Sequence, residues 1–429
     1  MTKPALDVLV VGGGIAGPTF AFWLHKLLPT AHITILERSP APRLSGQAVD
    51  IRAAAVPIVE RMGLIDMVKK YATTEQGIDF IGIDGKVAGS FPKSGDMEAQ
   101  SFTSEFEILR GDFAKILYES TKSLPNISYI FDETITSITQ TQTEKVEVTF
   151  KNHHPTQTYD LVVGADGQSS LTRRLIFNKN PKNKQEHLRR LGQYSAYFTL
   201  PSILSDTPFA AWYNAPHGRL ILLRPDQYGT RRCYLGVTDS NLSRFDEIDD
   251  IMHNKGVEEQ KKWFAKEFEG AGWQSERMVK GMMESDDFYM QEIAQVKMER
   301  WSEGRVVLVG DAAYCPSPIS GVGTGAALVG SYILAGELSL HPDNISLALA
   351  QYEKHTRPFV ESVQHLIPGA PQVANPQTET GIKVFNTVAW VLSHPFVTKF
   401  GGAMKKFYGW VSPAFGGTKW EVPVYGEGK

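Results

Sequence analysis

The sequence predicts an α/β fold in which a Rossmann-like unit is interrupted by an inserted antiparallel β-sheet and followed by a C-terminal helical segment. Three observations carry this reading. The first forty residues alternate strand, glycine turn, helix and strand. Two later stretches, Tyr159 to Val163 and Val306 to Val309, have the unbroken apolar character of buried parallel strands. Between them lie β-rich pieces dense in aromatic and turn residues, which read as a separate sheet. At 429 residues the chain is too long for one small core.

Each element has its own signal. Leu6 to Val11 is an apolar strand that breaks into glycines, and Ile15 to Leu28 is a helix with Pro18 in its first turn, where a missing N–H does little harm. His32 to Leu36 is the second strand, closing a βαβ unit with the usual right-handed crossover. Arg110 opens a further helix, for which Asp112 is the expected N-cap. Asn178 to Arg190 is polar and basic and is expected to be a solvated loop. Tyr194 to Leu200 and Leu220 to Val237 supply the inserted sheet. A helix begins at Gly321 to Gly325, and Ser346 to His365 has the spacing of a long one. The expected division is 1–75, 103–190 and 281–345 for the first unit, 76–102 and 191–280 for the inserted one, and 346–429 for the C-terminal helix and an aromatic tail. That tail carries Phe385, Trp390, Phe396, Phe400, Phe407, Tyr408, Trp410 and Phe415.

Composition narrows the function. With 42% hydrophobic and 21% charged residues, and a formal charge of −3 from 44 basic and 47 acidic side chains, the chain offers no global attraction to nucleic acid. Cys233 and Cys315 cannot build a disulfide framework or a four-thiolate metal site, and the scattered histidines lack ligand-like company, so no metal is expected. No targeting segment and no run of about 18 apolar residues is visible, so a cytoplasmic location is expected. Membrane contact through the tail is the less favoured use of its aromatics, packing on the protein itself or on a second subunit being preferred. Monomer and dimer both remain open.

Gly12, Gly14 and Gly17 form a G-x-G-x-x-G after a strand and at the opening of a helix, where a dinucleotide fingerprint belongs. They serve the tight turn, the approach of a pyrophosphate and close helix–strand packing. Helix N–H groups then face the phosphates. Glu37, twenty residues beyond Gly17, is placed to accept from ribose hydroxyls, and Arg38 follows it at the same strand end. Asp166 in Gly164 to Arg173 follows one buried strand; Asp311, followed by Pro318 to Gly325, follows the other. There is no Walker loop, HExxH, CxxC or GxSxG sequence.

With these three motifs in this order, the chain resembles the single-component FAD-dependent aromatic hydroxylases of the para-hydroxybenzoate hydroxylase type. Among them it is most similar to tetracycline-inactivating and fungal natural-product monooxygenases, over roughly residues 5 to 365. The resemblance implies a Rossmann-like FAD-binding domain, non-covalent FAD, NADPH as a transient co-substrate, O2, and a small aromatic substrate. It implies that Arg110 reaches the FAD phosphates or ribityl chain, that Asp311 contacts FAD, and that Val322, Gly323 and Gly325 line the flavin ring. Ala48, in Ser45 to Arg52, would let the backbone pass the flavin edge. Asp166 would support both FAD and the approach of NAD(P)H. Tyr314, Val322, Gly325 and Gly330 depart from the tetracycline-type pattern.

For the substrate, Arg52, Tyr213, Arg224 and Pro318 are candidates, with Trp212, Leu222 and Tyr234 as further lining residues. Asp50 and Arg52 share a face, and either touch the ring or substrate or pair with each other. The function expected is hydroxylation of a phenolic, multi-ring natural product through a C4a-hydroperoxyflavin. Epoxidation of an olefin and a non-catalytic flavin-binding module tethered by its tail are the alternatives; a halogenase is disfavoured by the absence of a Trp-x-Trp-x-Ile-Pro stretch.

Overall fold

The computed structural model describes residues 5–43, 45–93, 106–142, 144–152, 154–180, 182–183, 185–366, 369–394 and 420–426. Its first sheet has six strands, in the order Ser302–Glu303, Val306–Leu308, Leu161–Gly164, Asp7–Val11, His32–Leu36 and Ile127–Ile130. All pairings are parallel except that of the short edge strand Ser302–Glu303. Helices Ala16–Leu27 and Gly323–Leu340 pack on it, and Val8, Val10, Phe20, Leu24, Ile33, Val163, Leu328 and Leu334 are buried together there. The central strands are mostly apolar because the sheet is covered on both sides, the second face by a small antiparallel sheet of Ile135–Gln140, Val146–Phe150 and Gln157–Tyr159.

The expected strand Tyr159 to Val163 is two strands. Asp160 interrupts it, its carboxylate accepting from the backbone N–H of Asp7 at 2.9 Å and pairing with Lys145 at 2.7 Å. Tyr159 stays in the small sheet while Leu161 to Gly164 joins the large one.

The inserted sheet has seven strands: Tyr289–Val296, Leu188–Pro201, Thr230–Thr238, Arg219–Pro225, Ala210–Ala215, Gly77–Ile81 and Val87–Pro92. It is antiparallel but for one parallel pair, Ala210–Ala215 with Gly77–Ile81. Three helices, Asp246–Asn254, Val257–Glu267 and Ser275–Glu284, cover one face, where Phe198, Tyr213, Leu235, Phe245, Phe264 and Met278 are buried. Two expectations are corrected here. The chain returns to the first unit after Val296 rather than at 281, because helix Ser275–Glu284 and strand Tyr289–Val296 belong to the seven-stranded layer. Arg190 is not part of a solvated loop: it sits in strand Leu188–Pro201 and donates to Glu292 and Asp249.

Helix Ile345–Val363 starts at Asn344, whose side chain accepts from the N–H of Leu347 at 3.0 Å. The chain then crosses to the inserted sheet, where helix Glu379–Ser393 lays Phe385, Ala389 and Leu392 on Phe80, Phe91 and Leu222. Residues 420–426 come back to the first unit: Trp420 packs on Phe359, and Tyr425 fits over Gly336 and bonds Glu337 at 2.6 Å. The tail aromatics Phe396, Phe400, Phe407, Tyr408, Trp410 and Phe415 lie outside the described residues. No described helix is long and apolar enough to cross a membrane.

Candidate active site

The glycine turn is shaped by what surrounds it. Gly12 has φ of 117°, and a Cβ there would meet the carbonyl oxygen of Ala165 at 2.4 Å; at Gly17 it would meet the carbonyl of Gly12 at 2.1 Å. Gly14 differs, for a Cβ would find only Arg110 Nη2, at 3.9 Å. The turn therefore keeps an open place beside a cation at the start of helix Ala16–Leu27, which has no side-chain cap. Glu37 braces the turn, its Oε2 accepting from the Gly13 N–H at 2.9 Å and its Oε1 from Ser39 N–H at 3.0 Å. Arg38 beside it is exposed.

Arg110 begins helix Arg110–Thr121, and its N–H donates to the Gln47 carbonyl at 2.9 Å. Its aliphatic stem lies over Gly46, and among the described residues no acceptor is hydrogen-bonded to its guanidinium. Asp112 is not the N-cap: it accepts from Gln227 at 2.7 Å and Tyr228 at 2.9 Å, tying this helix to the inserted sheet. Strand Ala48–Asp50 pairs with Glu107–Leu109, so Ala48 stands opposite Leu109, just before Arg110.

Asp311 opens the short helix Asp311–Tyr314, with its Oδ1 3.8 Å from where a Cβ on Gly323 would be. Burial raises its carboxyl pKa and nearby Arg110 opposes the rise. Helix Gly323–Leu340 begins there with Val322 as its N-cap, and no described residue accepts from the N–H groups of Gly323, Thr324 or Gly325. Pro318 is exposed at the start of the one-turn helix Pro318–Ser320. The open place at Gly14, a cation with no hydrogen-bonded acceptor among the described residues, the half-buried Asp311 carboxylate and a second helix start form a donor and acceptor set suited to a flavin dinucleotide. Cys315 is a buried packing residue whose thiol is pushed well above its usual pKa by burial.

Asp166 borders the glycine turn through its backbone, its N lying 3.0 Å from where a Cβ on Gly12 would be, while its side chain is used locally. Its carboxylate accepts from Ser170 Oγ at 2.5 Å, from the N–H groups of Leu171 and Thr172 at 2.8 and 2.9 Å, and from Thr172 Oγ1 at 3.1 Å. It caps helix Leu171–Ile176, a structural role for this motif. Arg173, buried, then bonds the carbonyls of Ala312 at 2.8 Å and Gln168 at 2.5 Å, locking this motif to the one containing Asp311.

Strand alternation sorts the lining residues. Trp212, Leu222 and Tyr234 lie on the face away from the helical layer, with Phe80 and Phe385. Tyr213 points the other way: it is buried among the helices and donates to the Ala271 carbonyl at 3.0 Å, which removes it from the substrate side. Arg224 shares the face of Leu222, but its guanidinium is held by carboxylates, gripping Glu75 through two bonds of 2.8 Å and donating to Glu107. Arg52 pairs with Asp50 at 3.0 Å. Sequence reasoning missed Tyr197 and Tyr289, stacked at 4.8 Å on this face, with Arg43 above Tyr289 at 5.1 Å. The alternation within Tyr289–Val296 was the available signal. Glu75 and Glu107 had none, since only the fold brings them to Arg224.

The parallel sheet with its glycine turn, the two helix starts and the roofing sheet define a flavoprotein monooxygenase of the para-hydroxybenzoate hydroxylase type. Comparison with known proteins agrees. Residues 5–366 match the family described as FAD binding domain, and the chain belongs to that family. It is 34% identical over 438 residues, 98% of each chain, to a Sarocladium schorii protein named FAD-dependent monooxygenase asL6. It is likewise 34% identical over 98% of each chain to the flavin-dependent monooxygenase eupH of a Phoma species. Among solved structures, tetracycline destructase Tet(55) superposes with a TM-score of 0.75 at 30% identity, over 99% of this chain and 100% of that one. This chain is thus an FAD-dependent monooxygenase with a small-molecule substrate, and the non-catalytic module is set aside.

Proposed function

We propose that this monooxygenase hydroxylates an electron-rich phenolic substrate, a multi-ring natural product, with NADPH as the reductant and O2 as the oxygen source. The observation that carries the reading is the aromatic roof of Trp212, Tyr234, Tyr197 and Tyr289. Its Tyr289 end lies beside Gln47 and Arg110, next to the groups suited to FAD. When bound, FAD supplies hydride acceptance and oxygen activation.

The chain's own residues do the rest. Gly14 and Arg110 hold the phosphates, and Glu37 and Asp311 accept from sugar and ribityl hydroxyls. Val322, Gly323 and Gly325 present a helix start whose N–H groups stabilise negative charge on the flavin edge. Ala48 leaves room for the ring. The roof excludes water and orients a flat substrate by stacking. Pro318, which is exposed, and Arg52, which pairs with Asp50, are read as substrate-side residues, whereas Arg224 is held by Glu75 and Glu107. The six-stranded unit is read as the FAD domain and the seven-stranded one as the substrate domain, in a cytosolic protein working as a monomer or dimer.

The test is rapid mixing of reduced, FAD-loaded protein with oxygen, followed by a screen of phenols with NADPH under labelled oxygen gas. A transient absorbance distinct from both flavin redox states, and one labelled oxygen atom in a phenolic product, are expected. Consumption of NADPH that no phenol stimulates would refute the aromatic reading.

A further inference from the structure

Between strand Ala48–Asp50 and the roofing sheet lies a buried cluster of charges. Arg224 binds Glu75 and Glu107, and Arg52 binds Asp50. The side chains of Glu75, Glu107, Asp50, Arg224 and Arg52 are 2%, 3%, 15%, 16% and 17% exposed. Among the described residues, three carboxylates thus face two guanidinium groups, one more negative charge than positive. Tyr234 is a further titratable side chain beside them, next to Arg224. Asp50 Oδ1 is buried, and no described residue donates to it.

A carboxylate in such a place binds a proton in preference to remaining charged and unneutralised. Burial raises Glu75 to about 7 against the pull of Arg224, and Asp50 to about 6 against that of Arg52, with Glu107 adding to both rises. The cluster also adjoins the cofactor's groups. Asp50 pairs with Glu107 at one end of a short ladder whose other end is Ala48 with Leu109, flanked by Gln47 and Arg110. Two strand residues, about 7 Å, separate the two ends.

We propose that the Asp50–Glu75–Glu107 cluster is a proton store that takes up one proton from solvent when the bound flavin is reduced. Reduction of bound FAD by a nicotinamide hydride, which carries two electrons and one proton, would leave one added negative charge beside the cluster. The added negative charge raises the affinity of the neighbouring carboxylates for a proton. A second proton then passes from water to a carboxylate oxygen of Glu75 or Asp50, while Arg224 and Arg52 keep their charges and no other bond breaks. The store lowers the electrostatic cost of holding a reduced flavin beside a buried excess of negative charge. This rests on FAD binding and is independent of which substrate is oxygenated.

The midpoint potential of FAD-loaded protein, measured against pH by equilibrium reduction with redox dyes, tests it. One proton per two electrons gives a slope of about 30 mV per pH unit, and a second proton doubles it. Wild type is expected to show the doubled slope over a window near neutrality. Glu75→Gln and Asp50→Asn should each shrink or shift that window, and the exposed control Glu258→Gln should match wild type. A one-proton slope throughout in wild type overturns the proposal, as does a doubled slope unchanged in both variants. If Glu75→Gln fails to take up FAD, Asp50→Asn alone decides.

Discussion

Replacing Arg110 by Met isolates its charge, because the two roles of this side chain separate in the structure. Its Cβ, Cδ and Cγ lie 3.0, 3.3 and 3.5 Å from where a Cβ on Gly46 would be, a packing role that the methionine stem retains. Its guanidinium approaches the open place at Gly14 and has no hydrogen-bonded acceptor among the described residues, so no internal salt bridge is lost. A charge-assisted bond to a phosphate contributes about 2 kcal/mol, which corresponds to roughly a 30-fold weaker FAD affinity. A second effect adds to this. Arg110 is the cation that opposes the rise of the Asp311 pKa, so its loss moves Asp311 further toward the neutral acid, a poorer acceptor for a ribityl hydroxyl. Titration of apo-protein with FAD by flavin fluorescence measures the affinity, and the melting temperature of the apo-protein serves as the folding control. The expected pattern is a tenfold or greater loss of affinity with an apo melting temperature unchanged within a degree or two. Unchanged affinity would refute the phosphate role, and an equal fall in apo stability would mean that Arg110 is structural.

Three other perturbations probe different parts of the fold. Tyr425→Ala empties the socket over Gly336 and removes a bond to buried Glu337, and should lower stability by about 3 kcal/mol in a denaturant titration. Tyr213→Phe should cost about 1 kcal/mol through the lost Ala271 bond and leave substrate selection untouched, whereas Trp212→Ala, on the opposite face, should change which phenols stimulate NADPH oxidation. Glu75 holds its proton more tightly folded than unfolded, with its carboxyl raised from 4.5 to about 7. Folding stability should therefore fall as pH rises through that interval, and Glu75→Gln should flatten the fall in apo-protein melts.

Periodicity and glycine placement made the first unit legible because its signals are local. A covered parallel strand is apolar at its buried positions on both faces, and Gly17 is required by a backbone contact within its own turn, while Gly12 faces the carbonyl of Ala165 at the end of the neighbouring strand. The inserted sheet was legible in kind but not in facing. Tyr213 and Trp212 are neighbours of similar composition, and only the pairing register says that one meets the helices and the other the opposite face with Phe80 and Phe385. Asp166 shows a different limit: an acidic residue after a buried strand reads the same whether it binds a ligand or caps the helix beyond it, and here four donors from residues 170–172 decide for the cap.

The charged residues illustrate how function and folding share one constraint. Arg224 read as a substrate contact because an isolated arginine on an aromatic sheet invites that role. The fold instead brings Glu75 and Glu107 to it from two other elements, 149 and 117 residues away in sequence. Bringing three carboxylates and two arginines out of water is costly, and leaving them with net charge more so. Such an arrangement is a poor way to stabilise a sheet, since apolar residues of similar volume would pack there at lower cost. Its position next to the strand that carries Ala48 gives the excess charge a use. A flavin that alternates between neutral and anionic forms needs a nearby group whose protonation follows it, and a saturated salt bridge could not respond.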